Sequence, residues 1–577
     1  MILKKIKFST LLFLFSAVFS ASFFTTILLS SCATTKNQGV ESRNEKNNSG
    51  ENLYQEFLKL ECLGKEECSF REIKCAYQDQ EKNNKNARDT DIFLSPEEIE
   101  KDTEEFIYLL ESCYAGYKKA CLKGFSSDRL REKIKNRFYN RKEVLQDEVA
   151  WTLWKETFPY IKDMHFVLES QKSYYQFSPH LIPYFSDTYV KKEGEEYLLS
   201  LTDSSEIHIG DVYSGSKENL FYYPSRGLDI YRVGCLLDPM EIEKARQKNS
   251  SGGNASSGDT NSSSSNASSG GNLLLESSFN GKKVHLSIRD AGCLEIPEKL
   301  DYKESQTEKS AYIYISNFMA AEAESKERKK SDRLYKNYAD APKKYLNKKN
   351  IILDLRGNQG GNMNYSLIFP INLYLGQDSS FYMGKDFSAG DMADFFIRVF
   401  YKDCFLLESP GVVQNTLEYL KLYFPEMEET KDFLDRRYKV LKEKPEVSLW
   451  PMNEYASTSS KIDFSIPKES AFKGRLFFIT DRNSFSAAED IITFSRQLFK
   501  NQAEVYVIGE NTAGCMEYGG LLSYQLSSSG IRVNLCQSAF YPFEEKVDSW
   551  KGEGLGHFPD AWASPDDIRS TLDLLLN

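Results

Sequence analysis

Two serines one residue apart, Ser484 and Ser486, lie in the stretch DRNSFSAAEDIITFSRQ that runs from Asp481 to Gln497. A serine hydroxyl becomes a nucleophile once a base takes its proton. At the start of a helix it also gains from the helix dipole, which favours negative charge nearby. Ser486 fits that place: Ala487 and Ala488 leave room for a substrate, and the Ala487 backbone N–H could donate to an oxyanion. Taken alone, the same residues read first as a helix cap, a common role for serine. A second oxyanion donor could come from a glycine loop such as Gly360-Gly361, where only backbone without side chains can crowd a carbonyl; a tight turn is the simpler use of that pair. A histidine suits the base, because imidazole changes charge near neutral pH. His165 follows Asp163 in KDMHF, and its structural alternative is a satisfied buried histidine beside a turn. The five histidines (165, 180, 208, 285 and 557) are scattered and no CxxC pair is present, so the spacing supports no metal site and no cofactor.

The elements that must position these groups can be read from pattern. LSPEEIEKDTEEFIYLLESCY opens a helix: Ser95 and Glu98 form a capping box, and Pro96 takes the first helical position. Ile99, Phe106, Leu109 and Leu110 then recur at helical spacing. EVLQDEVAWTLWKETFPYI predicts another helix, so residues 95–187 read as a helical domain that ends by delivering Asp163 and His165 on a turn or short strand. Residues 188–300 change to short alternating strands and contain the Ser/Gly/Asn insert 247–272, which cannot bury a core and reads as a flexible surface loop. Residues 301–577 alternate strands (AYIYISNF, NIILDLRGN, GRLFFIT, AEVYVIGE) with helices, the pattern of an α/β domain with strands buried on both faces. LLSYQLSSSG and IRVNLCQSA predict a hairpin over the site, and 366–470 a wall or lid of the cleft.

With 577 residues the chain is too long for one core. Its net charge of −11 leaves no basic excess for phosphates, which argues against nucleic acid as a partner. MILKKIKFS followed by TLLFLFSAVFSASFFTTILL is a positive end and an apolar run, the form of a targeting segment. A plain transmembrane anchor is the other reading of that run. Residues 32–94 read as a tether and a Cys-containing segment. The chain has eleven cysteines. Setting Cys32 aside, Cys113 with Cys121, Cys235 with Cys293 and Cys515 with Cys536 are pairings to test, and sequence does not fix the connectivity.

Several of these stretches resemble known families. Leu29-Ser30-Ser31-Cys32 is similar to the bacterial lipoprotein cleavage box, which implies a signal peptide over 1–31, acylation of Cys32, a membrane held through the lipid anchor, and an extracytoplasmic location in the cell envelope. IILDLRGNQGGN, FITDRNSFSAAEDI and VIGENTAG, in that order, resemble the tail-specific (C-terminal processing) serine protease family. The resemblance implies a crotonase-like core, Ser486 as nucleophile, and Ala487 with Gly360 or Gly361 as the oxyanion hole. One branch of that family places a lysine base where this chain has Cys515. The tricorn-like branch takes a histidine from an upstream Asp-x-His segment, which KDMHF matches, so His165 is the implied base. Met164 stands where that branch has a hydroxyl residue. KGEGLGHFPD resembles the family's C-terminal motif and implies Glu553 as the residue that orients His165, with Asp163 the local alternative and a surface carboxylate the plain reading of Glu553. IHIGDVYSG and VHLSIRDAG resemble two strands of a PDZ domain. The expected activity is hydrolysis of peptides or partly unfolded proteins through an acyl-enzyme. The alternative is a catalytically inactive binding or scaffold lipoprotein on the same fold, as in a retinoid-binding relative of the family.

Overall fold

The computed structural model describes residues 91–161, 163–176, 181–237, 273–290, 301–319, 327–361, 363–376, 404–408, 449–451, 469–542 and 556–576. The targeting segment, Cys32, Glu553, Cys293, the insert 247–272 and most of 366–470 lie outside these residues. No helix among the described residues is long and apolar enough to cross a membrane.

Four helices open the ordered chain: α1 (Pro96–Ser112), α2 (Tyr117–Leu122), α3 (Ser127–Phe138) and α4 (Gln146–Thr157). The expected capping box starts α1: Ser95 Oγ accepts from Glu98 N–H at 3.3 Å, and Glu98 Oε2 accepts from Ser95 N–H at 2.8 Å. The apolar face that follows is buried, from Ile99 and Phe106 to Leu109 and Leu110. After α4 the chain makes a turn through Asp163 and His165 and enters β1 (Val167–Glu169). So the histidine sits at the seam between the helices and the sheet.

A β-domain follows, with β2 (Ile182–Glu193), β3 (Glu196–Leu201), β4 (Leu220–Tyr222), β5 (Ile230–Leu237), β6 (Leu273–Phe279) and β7 (Lys282–Asp290). These pair antiparallel in the order β4-β5-β2-β7-β6, with β3 on β2. The period-two alternation of KKVHLSIRD buries Val284, Leu286 and Ile288 and turns the charged residues outward.

The core consists of β8 (Tyr302–Gln306), β9 (Ser310–Ile315), α5 (Glu327–Tyr345), β10 (Asn350–Asp354), α6 (Met363–Leu375), β11 (Arg475–Thr480), α7 (Ala487–Leu498), β12 (Glu504–Gly509), β13 (Tyr518–Gln525), β14 (Arg532–Pro542), β15 (Ala561–Trp562) and α8 (Ile568–Leu576). One sheet runs β8-β9-β10-β11-β12-β15, parallel except for the edge strand β8. Every residue of β10 is buried, as a strand covered on both faces requires. The apolar stripe of α8 (Ile568, Leu572, Leu575, Leu576) packs against Ile352, Phe477, Ile479 and Ile508 on one face.

The expected hairpin is β13-β14, and it belongs to a second sheet. In that sheet β14 pairs with β1 in the register Asn534↔Val167, Val533↔Leu168 and Arg532↔Glu169. The inner side of the hairpin (Tyr524, Leu526, Ile531, Val533, Leu535) shares one apolar core with α1–α4. The helical segment and the hairpin therefore stand or fall together. The β-domain docks on the core through Phe185 and Phe221 against Trp562, and through a Tyr223 hydroxyl that donates to Asp567 at 2.8 Å.

Candidate active site

Strand β11 ends at Thr480, and the chain turns sharply before α7. Ser484 is fully buried in that turn; its hydroxyl donates to the Leu355 carbonyl at 2.7 Å and accepts from Asp481 N–H at 3.1 Å. These bonds tie the end of β11 to the end of β10, so Ser484 holds the turn and is closed to any substrate. Ser486 is different. It is only partly buried, is the N-cap of α7, and has φ 58° and ψ −126°, a left-handed conformation that is rare and costly for a residue with a side chain. Its carbonyl accepts from Glu489 N–H at 2.7 Å. The chain is thus strained at the residue that starts the helix.

The strain is held from behind by Glu489, three residues along and fully buried. Its Oε2 accepts from Ser486 N–H at 3.0 Å and Cys515 N–H at 2.7 Å, and its Oε1 accepts from Thr512 Oγ1 at 2.5 Å and Gly514 N–H at 2.9 Å. One carboxylate thereby joins the serine turn to the loop Asn511–Cys515. Burial pushes its pKa up, and the four converging donors oppose that shift. Sequence reasoning placed Glu489 only in the first helical turn. The Glu at the third helical position is the signal that could have found it, since that is where a capping box is closed.

Gly360 has φ +79°, and a Cβ there would come within 2.6 Å of the Phe485 carbonyl oxygen, 2.8 Å of Ala487 N and 2.8 Å of Ser486 Cβ. The glycine loop is thus packed directly against the serine and the Ala487 N–H. Gly361 (φ +131°) crowds the Phe318 carbonyl instead, with Phe318 N–H donating to the Gly360 carbonyl at 2.8 Å. Of the pair, Gly360 is the one that touches the serine turn. Asn358 anchors the loop: its carbonyl accepts from Phe485 N–H at 3.1 Å, and its side chain accepts from Gly360 N–H at 2.9 Å.

His165 lies against the same turn, its ring edge-on to Phe485 with centroids 6.3 Å apart. Asp163 has no solvent exposure; its Oδ1 accepts from His165 N–H at 2.9 Å and lies 3.2 Å from Nδ1. Met164 packs with Ala513, Cys515 and Phe485, so the residue at the hydroxyl position of the tricorn-like pattern serves as an apolar wedge. Cys515 is buried, and burial pushes its thiol well above the ordinary range. Cys121, Cys515 and Cys536 are free thiols, so neither Cys113–Cys121 nor Cys515–Cys536 forms a bridge, while the partner expected for Cys235 lies outside the described residues; Cys113, Cys515 and Cys536 sit inside apolar cores as small hydrophobes. His557, four positions after Glu553 in the sequence, is buried behind α7. Its Nε2 lies 2.8 Å from Thr493 Oγ1 and 3.0 Å from the Glu489 carbonyl, and its N–H donates to Thr512 Oγ1 at 2.7 Å. It braces Glu489 from the far side.

The turn is also wired to the β-domain. Arg482 pairs with buried Glu510 at 3.0 Å and with Asp290, the last residue of β7, at 2.9 Å. Burial raises the Glu510 pKa against the pull of Arg482.

No curated protein matches this chain. Solved structures with a similar course include mature CPAF complexed with lactacystin, at 13% identity over 83% of this chain and 97% of that one, with a TM-score of 0.40. The photosystem II D1 C-terminal processing protease aligns at 12% identity over 81% and 93%, with a TM-score of 0.28. The tricorn protease aligns at 13% identity over 83% of this chain and 36% of its own, with a TM-score of 0.28. Residues 309–541 match the model of Peptidase family S41, a span that contains the glycine loop, the serine turn, the Asn511–Cys515 loop and the hairpin. Over that span, which is less than half of its length, the chain is similar to Peptidase family S41, and the match supports a serine-type peptidase.

Proposed function

We propose that this chain is an endopeptidase or carboxy-terminal processing peptidase that acts through an acyl-enzyme on Ser486. The observation that carries the reading is the strained φ of Ser486, a partly exposed serine at a helix N-terminus, packed against Gly360 and one residue after Phe485, whose ring meets that of His165. His165 takes the hydroxyl proton as general base, and the freed oxyanion of the tetrahedral intermediate is met by the Ala487 N–H beside the Gly360-Gly361 loop. Asp163 orients the imidazole through Nδ1, which leaves Nε2 for the serine. Glu553 remains the second candidate for that role on motif grounds. Cys515 takes no part in proton transfer, since burial keeps its thiol protonated.

Substrates are peptides or partly unfolded proteins. The β-domain selects them as a PDZ-like module, and the core is of the crotonase type. The lipobox around Cys32 makes the enzyme a lipid-anchored protein of the cell envelope, facing the extracytoplasmic side. A serine-directed fluorophosphonate tests the central claim. The folded protein is expected to label and Ser486→Ala to stay unlabelled; labelling that survives the substitution, or none on the folded wild type, would leave a binding or scaffold role as the better reading.

A further inference from the structure

Asp163 and His165, two residues apart, are met by Cys536 from a distant part of the chain, and all three side chains can ligate a metal. One ligand atom from each of Asp163, His165 and Cys536 lies within 4.8 Å of the other two. The sheet explains the meeting. The antiparallel register of β14 on β1 pairs Asn534 with Val167; two residues further along that register, Cys536 falls opposite His165. Asp163 and Cys536 are fully buried, while the His165 side chain is 11% exposed and forms the rim. Asp163 spends Oδ1 on His165, but its Oδ2 is buried with no hydrogen-bond partner among the described residues. A carboxylate oxygen left so is costly, and it lacks a positive partner.

We propose that Asp163, His165 and Cys536 form an inhibitory Zn2+ site that switches the peptidase off by holding the His165 ring. The inference rests on His165 being the base. A carboxylate, an imidazole and a thiolate suit a borderline-soft divalent ion, and three protein ligands leave a fourth position for water on the exposed side. Zn–N and Zn–O bonds of about 2.1 Å and Zn–S of about 2.3 Å require tetrahedral ligand–ligand edges of about 3.3–3.6 Å. The 3.2 Å between Asp163 Oδ1 and His165 Nδ1 already matches such an edge. Cys536 has to close by about 1 Å at most. Each ion that binds displaces the thiol proton of Cys536, so one proton is released per Zn2+. With zinc on Nδ1, the neutral imidazole carries its remaining proton on Nε2, the nitrogen left for Ser486. The ring then meets the serine as a donor and cannot accept its proton.

The test uses the full chain and two independent readouts. Co2+ titrated into the Ser486→Ala protein is expected to give a thiolate-to-cobalt charge-transfer band in the near ultraviolet and tetrahedral ligand-field bands in the visible. The charge-transfer band should vanish, and Co2+ affinity fall by roughly tenfold or more, in Ser486→Ala carrying Cys536→Ser or Cys536→Ala, with circular dichroism confirming that each is folded. On the wild type, Zn2+ is expected to slow fluorophosphonate labelling by roughly tenfold or more and a chelator to restore it, whereas labelling of Cys536→Ser resists Zn2+. No thiolate band, or the same band in both Cys536 variants, would overturn the site. A thiolate band with labelling unaffected by Zn2+ would overturn the switch. Absence of labelling in metal-free wild type while the band forms would strike the peptidase reading and leave the metal site standing.

Discussion

Glu489 offers the sharpest quantitative test, because one buried side chain accepts four hydrogen bonds from two segments of the chain. In Glu489→Ala, three backbone N–H groups and the Thr512 hydroxyl lose their acceptor in a site without solvent. At about 1–3 kcal/mol for each buried donor left unpaired, the loss is on the order of 4 kcal/mol or more, a large part of a domain's net stability of about 5–15 kcal/mol. Glu489→Gln should behave very differently. Its carbonyl oxygen can keep the Ser486 and Cys515 N–H groups, and its amide can donate to Thr512 Oγ1, whose hydroxyl is free to rotate. Only the Gly514 N–H then goes unpaired, a cost of about 1–3 kcal/mol. Urea denaturation read by circular dichroism gives both numbers, with the m-value checking that the unfolded state is unchanged. Fluorophosphonate labelling of the folded fraction reports whether the serine keeps its conformation; it is expected to slow in both variants and most in Glu489→Ala. The reasoning fails if the alanine variant is no less stable than the glutamine variant, or if Glu489→Gln is indistinguishable from wild type.

Three further outcomes follow from the same site. Gly360→Ala places a methyl 2.6 Å from the Phe485 carbonyl in a left-handed backbone, so it should shift the Ala487 N–H and cut the labelling rate by about 10²–10³, the usual effect of losing one oxyanion donor; labelling at the wild-type rate would remove Gly360 from the site. Ser484→Ala deletes the bond to the Leu355 carbonyl and should cost about 1–3 kcal/mol while Ser486 still labels; a folded Ser484→Ala protein that no longer labels would reverse the roles of the two serines. Asp490 is buried in α7, and burial first, then the nearby Glu489 charge, pushes its pKa well above the usual value. The folded state therefore binds its proton more tightly than the unfolded chain. That contribution to stability is fully present below the ordinary aspartate range and is lost as pH rises towards the raised folded value. Asp490→Asn should be more stable than wild type by about 1 kcal/mol or more at neutral pH, with the gap closing in acid. A gap in thermal midpoint that does not change with pH would contradict this.

What could be read in advance had local causes. The β11-turn-α7 unit is legible because GRLFFIT is a continuous apolar run and SAAEDIITF carries helical spacing directly after a serine. Ser95 and Glu98 are legible for the same reason, since a cap involves residues three apart. Asp163 and His165 were readable as neighbours, though not what they would face. Of the four donors on Glu489 only Ser486 N–H lies at capping-box spacing; the other three come from 23 to 26 residues away, and no periodicity encodes them. Cys536 beside His165 is still less visible, for it depends on the register between two strands separated by more than three hundred residues. The cysteine arithmetic suggested bridges because it counts thiols, whereas burial decides whether a thiol serves as core. Glu553 lies outside the described residues, so its role rests on its motif alone.

The seam at β1 has a consequence for how the protein matures. Short strand β1 carries His165 to a partner, β14, that lies some 360 residues further along the chain. Closing so long a loop is slow relative to forming helices or local hairpins. On the proposed mechanism the serine turn therefore meets its base only after the helices and local hairpins have formed. If the proposed roles hold, a newly made copy gains activity only once this long loop has closed, so the wide separation of the two groups in sequence delays the chemistry until the fold is complete.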